Sequence, residues 1–103
     1  MVIIMNRTEL RAFLKRSTNS GGVSPIILDT ITKCARASQT VIIAYADTKG
    51  VITAREVEPY EFKEDKLWAY CLVRQGVRQF TFGSIVSAMP TGRVFTPRWP
   101  IQI

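Results

Sequence analysis

From Thr40 onward the apolar residues of this 103-residue chain recur at every second position, and this period dominates the fold. TVIIAYA (40–46), VITAREVEP (51–59), LWAYCLVR (67–74), VRQFTFG (77–83) and SIVSAMP (84–90) read as five consecutive β-strands. DTKG (47–50) is the turn of a first hairpin, and Gln75-Gly76 is the two-residue loop of a second. Pro59 ends the pairing of its strand, which leaves YEFKEDK as a polar connector. Five short strands on tight loops suggest a small, partly open barrel.

Before the strands the period is helical. Asn6 and Glu9 resemble a capping box, and Leu10, Phe13 and Leu14 follow at helical spacing, which predicts a helix over 7–17. STNSGG (17–22) is a flexible connector. Ser24-Pro25 opens a second helix over 25–38, with Ile27, Ile31, Cys34 and Ala35 on one face. The expected class is therefore α+β: two short N-terminal helices, then a small five-stranded barrel. The organisation is a helical extension (1–38), a barrel (39–90) and an extended tail (91–103) that packs on the barrel or on a partner.

The charge is +6 and unevenly spread. Residues 1–38 carry six Lys/Arg against two acids, and from Lys66 to the end there are five basic residues and no acid. A basic surface favours a polyanionic partner. Arg7, Arg11 and Lys15 fall at i, i+4 and i+8 of the first helix, so the stripe is either a phosphate contact or a solvated face. No apolar run is long enough for a membrane helix, and the start has no signal-peptide pattern, so a cytoplasmic protein is expected. Two cysteines without CxxC spacing, and no histidine, speak against zinc. Cys34 and Cys71 both lie in apolar patterns and read as buried thiols. No nucleophile–base pair or paired-carboxylate motif is visible, so the expectation is a non-enzymatic protein without a cofactor.

Two strands place an arginine on an otherwise apolar face: Arg55 in VITAREVEP and Arg78 in VRQFTFG. A poorly solvated guanidinium needs an anion opposite it. That anion is either a bound phosphate or an intramolecular acid, with Glu56, Glu58 and Glu61 the nearest in sequence. Tyr45 reads equally as a core tyrosine or as a platform for a base. Strand 67–74 is apolar on both faces. The face bearing Trp68, Tyr70 and Leu72 needs cover from the second helix, from the tail with Phe95 and Trp99, or from a second subunit, which predicts a homodimer.

Taken in order, Ile43-x-Tyr45, Gly50, Arg55-x-Val57-x-Pro59, Leu67-x-Ala69-Tyr70-Cys71, Arg78-x-Phe80 and Ile85 resemble the WYL domain, over about 42–85 or up to 90. That family comprises bacterial and phage regulatory modules built on an SH3/Sm-like β-barrel. The namesake triplet falls on Asp65-Lys66-Leu67, so only its leucine is kept, and Ser84 stands where a basic residue is common. The resemblance implies a regulator or accessory protein that binds nucleic acid, single strands above all, or a related anionic ligand such as a nucleotide. Arg55, Arg78, Tyr45 and Lys66 would make the contacts. The other class of function is a protein-interaction subunit of a larger effector, working through Trp68, Tyr70, Leu72, Phe95 and Trp99.

Overall fold

The computed structural model describes residues 3–5 and 24–103. Its elements are β1 (Ile3–Met5), α1 (Pro25–Arg36), β2 (Gln39–Ala46), β3 (Ile52–Lys63), β4 (Lys66–Cys71), β5 (Gly76–Thr81) and β6 (Ile85–Val94), with a 3-10 turn at Phe82–Ser84. The strands form one antiparallel sheet ordered β5-β4-β3-β2-β6, and β1 pairs with the first residues of β3.

This corrects the expected fold in two respects. One helix, not two, is present among the described residues, and the segment expected to form the other (7–17, with Arg7, Arg11 and Lys15) lies outside them. The strands form an open sheet rather than the expected partly open barrel, because β5 and β6 end it and do not pair with each other. It is nonetheless curled, since Tyr45 on β2 meets Phe80 on β5 edge to face at 5.2 Å, although β3 and β4 lie between their strands.

Strand alternation sorts the sheet residues into two faces. Val41 and Ile43 of β2, Val57 of β3, Leu67, Ala69 and Cys71 of β4 and Phe80 of β5 share the concave face and are all but solvent-free. Helix α1 packs Ile27, Ile31 and Cys34 into the same cluster. Burying such side chains contributes about 1.5–3 kcal/mol each, which is what holds a 12-residue helix on the sheet. Pro25 starts the helix and Lys33 and Arg36 finish it, as the sequence predicts, but it stops at Arg36 rather than residue 38. The Ser24 hydroxyl makes no capping bond.

Pro59 does not end its strand. It pairs with Ala69, and the ladder then shifts at a bulge between Pro59 and Glu61, so β3 runs on to Lys63. A bulge tolerates a residue without an N–H and bends the strand. The β3–β4 connection is consequently the two residues Glu64-Asp65, with Glu64 at φ 58°. At the next hairpin Cys71 pairs with Gly76, so Leu72–Gln75 is a four-residue turn closed by Gln75 at φ 54°. β6 runs to Val94, taking in part of the expected tail.

Candidate anion-binding face

The concave face carries the two arginines. Arg55 stands opposite Ile43 and shares its face with Val57, while Arg78 stands opposite Ala69 and two residues from Phe80. Tyr45 lies opposite Thr53, diagonal to Arg55, and its ring abuts Phe80. The two cations therefore flank the Tyr45–Phe80 contact, Arg55 across the β2–β3 ladder and Arg78 along β5.

Neither arginine has a carboxylate partner among the described residues. Arg55 donates from Nε to the Thr53 hydroxyl at 3.3 Å, a long bond, and its buried Nη1 meets no acceptor there. A buried donor on a cation without an acceptor costs more than the ~1–3 kcal/mol of a neutral one. The arrangement suits a ligand oxygen, since a guanidinium fork matches the spacing of phosphate or carboxylate oxygens.

The acids offered by the sequence are engaged elsewhere. Glu56 and Glu58 alternate with Arg55 and so project from the opposite face. Glu56 accepts from Arg93 and from the Thr40 hydroxyl at 2.7 Å, and Thr40 in turn contacts Thr91 at 2.6 Å. Glu58, with 5% of its side chain exposed, accepts from the Tyr60 hydroxyl at 2.7 Å and from Arg98 Nε at 3.2 Å. Arg98 also sits 3.9 Å over the Tyr70 ring, and its backbone N–H donates to the Tyr60 oxygen at 2.9 Å. Burial in this network, reinforced by Glu58, pushes the Tyr60 phenol up to about 12. These partners were not singled out in the sequence, although the period-two alternation of TAREVEP already separates Arg55 from both glutamates.

The remaining predicted residues divide. Lys66 stands beside Lys63 and Thr81, and alternation with the buried Leu67 puts it on the outer face, away from Arg55, Arg78 and Tyr45. Trp68 and Tyr70 are also outer. Part of their cover comes from the chain's own tail: Trp99 packs on Tyr60 at 5.2 Å and on Tyr70 at 6.3 Å, and Phe95 packs on Tyr60 at 5.8 Å. Leu72 leaves this group for the β4–β5 turn. Phe80 and Phe82 are buried, and Cys34 and Cys71 are buried free thiols, with burial raising the Cys34 pKa. Among the described residues no cluster of potential metal ligands forms, and no helix is long and apolar enough to cross a membrane.

No family model matches this chain, and no curated protein matches it in sequence. Its fold is similar to part of a solved structure, Proteasome accessory factor B/C (PafBC) of Arthrobacter aurescens, with a TM-score of 0.63 and 25% identity. The match covers 86% of this chain but 16% of that one, so the chain spans about a sixth of the protein it resembles.

Proposed function

We infer that the chain is a non-enzymatic, WYL-like regulatory or accessory module whose concave face binds a phosphate-bearing ligand, single-stranded nucleic acid above all. The observation that carries this reading is Arg55: a half-buried arginine whose buried Nη1 has no partner among the described residues, on the same face as a second arginine, while Glu56 and Glu58 are taken by other arginines. Arg55 supplies the fork, Arg78 a second phosphate contact, and Tyr45 a ring edge against which a base or sugar can lie. The +6 charge adds long-range attraction. Similarity to part of an accessory factor, and the ordered WYL-like residues from Ile43 to Ile85, support a regulatory role in a WYL-like fold.

Fluorescence anisotropy with labelled single-stranded and duplex oligonucleotides, of DNA and of RNA, tests the reading. Binding through phosphates weakens steeply as salt rises, with a log–log slope of roughly −0.7 per phosphate contact on single strands. A ligand that saturates as a mononucleotide, with no gain from oligomer length, would instead make the face a nucleotide sensor. No binding at low salt by a protein this basic would end the nucleic-acid reading.

A further inference from the structure

From Lys66 to the end the chain has five basic residues and no acid: Lys66, Arg74, Arg78, Arg93 and Arg98. The structure places three of them away from the concave face. Arg93 and Arg98 pair with Glu56 and Glu58, and Lys66 lies on the outer face. Two remain, Arg74 and Arg78, on the β4–β5 hairpin, and neither forms a salt bridge among the described residues. Arg78 belongs to the concave face, and Arg74 is exposed in the turn Leu72–Gln75.

Strand register places Arg74 relative to Arg55. Val57 pairs with Cys71, and the Leu72 N–H donates to the Glu56 carbonyl at 3.2 Å, so the turn leaves β4 alongside Arg55. Cys71 also pairs with Gly76, so the same turn delivers the chain to β5 and, two residues later, to Arg78. Passing along the sheet from β3 to β5, the cations come in the order Arg55, Arg74, Arg78. The outer two are not a pincer on one phosphate. Arg78 stands opposite Ala69, whereas Arg55 is level with the turn, two strands over and about four residues along. At about 4.8 Å between strands and about 3.3 Å per residue, that is roughly 16 Å along the sheet. Thr53 holds the Arg55 Nε on the side farther from Arg78. Arg74 stands in the gap.

We propose that Arg74 is the middle cation of a three-arginine track, and that the ligand is a single strand laying at least three backbone phosphates along Arg55, Arg74 and Arg78, rather than a nucleoside monophosphate. The inference rests on the anion reading of the concave face and fixes its footprint. Three guanidiniums held apart by the sheet match charges repeated along a backbone, and each phosphate met releases counterions. A nucleoside monophosphate carries its charge at one point and satisfies one arginine of the three. The exposed turn leaves the Arg74 fork free to follow a flexible strand, while Arg55 is fixed by its half-buried setting.

The probes are labelled oligothymidylates and oligouridylates of increasing length, titrated into the full chain by fluorescence anisotropy at several salt concentrations. The expected result is an affinity that climbs over the first few nucleotides, with thymidine and uridine monophosphates competing only at far higher concentration. Arg74→Gln should weaken binding about threefold to tenfold and make the log–log salt slope shallower by about 0.7, the share of one phosphate, with the melting curve unchanged. Lys63→Gln removes the same charge from an exposed position on the outer face, beside Lys66, and should change neither quantity. The length series and the monophosphate competition use the wild type and do not depend on any variant. An Arg74→Gln protein with wild-type affinity and slope, while Arg55→Ala/Arg78→Ala loses binding, would overturn the track and leave the anion reading standing. Equal losses in Arg74→Gln and Lys63→Gln, or a monophosphate that binds as tightly as the longer oligonucleotides, would do the same. No binding of any probe at low salt would overturn the anion reading itself, and the track with it.

Discussion

The two faces of strand β3 treat charge in opposite ways. On the outer face Glu56 and Glu58 each have an arginine: Arg93 meets Glu56 and Arg98 meets Glu58, with Thr40 and Tyr60 supplying further hydrogen bonds. On the concave face Arg55 has a hydroxyl at 3.3 Å and a buried Nη1 with no acceptor among the described residues. One residue along the strand separates the two conditions. The pairing of Glu56 and Glu58, set against the unmatched Nη1 of Arg55, is what the proposed anion site rests on. Structural arginines stabilise by pairing, whereas an arginine reserved for a ligand costs stability in its absence.

Four substitutions sharpen or break this comparison. The largest effect is expected from Phe80→Ala, which removes a side chain with 1% exposure from the point where β5 closes over Tyr45 and Leu67. Urea denaturation should show a loss of about 3–5 kcal/mol. Glu58→Ala comes next. It strands the Tyr60 hydroxyl and releases Arg98, and should cost about 1–3 kcal/mol by the same assay. Arg55→Met should act with the opposite sign, because a flexible apolar side chain of similar length removes an unmatched donor. Stability should rise by about 1 kcal/mol while oligonucleotide affinity falls. A destabilised Arg55→Met would mean that the guanidinium has a structural partner after all, and would erase the contrast between the faces.

The smallest effect is a matter of pH. Tyr60 holds its proton more tightly when folded, up to about 12 against an unfolded value near 10. Its contribution is therefore complete below about pH 10 and drains away as pH rises toward 12. Thermal melts should show a stability loss across that window, and Tyr60→Phe should flatten it.

Much of this was readable in the sequence, and the exceptions have physical causes. The helix face Ile27, Ile31, Cys34 and Ala35, the strand cores and the shared face of Arg55 and Arg78 followed from periods of 3.6 and two, which survive into the structure. Pro59 misled because a missing N–H breaks a regular ladder but not a bulge, and the bulge depends on long-range pairing with Ala69 and Trp68. Leu72 left its expected strand because Gln75 adopts a positive φ that only the finished turn makes visible. A partly open barrel was expected from strand number and loop length, yet whether a sheet curls into a barrel depends on long-range strand pairing that no local pattern encodes. The site was half legible. Arg55, Arg78 and Tyr45 share the concave face, and Lys66 falls on the far face by alternation with Leu67. The Arg93 and Arg98 partners lay some forty residues from their glutamates and left no local trace.

The most direct test is an anisotropy titration of one labelled single-stranded oligonucleotide, at two salt concentrations, into the wild type and into the Arg55→Ala/Arg78→Ala double mutant, with melting curves of both proteins alongside. The expected result is salt-sensitive binding by the wild type and an affinity loss of about tenfold or more in the mutant, with the melting temperature nearly unchanged. Equal binding by the two proteins, or a mutant that loses its fold, would contradict the reading of the concave face as an anion site.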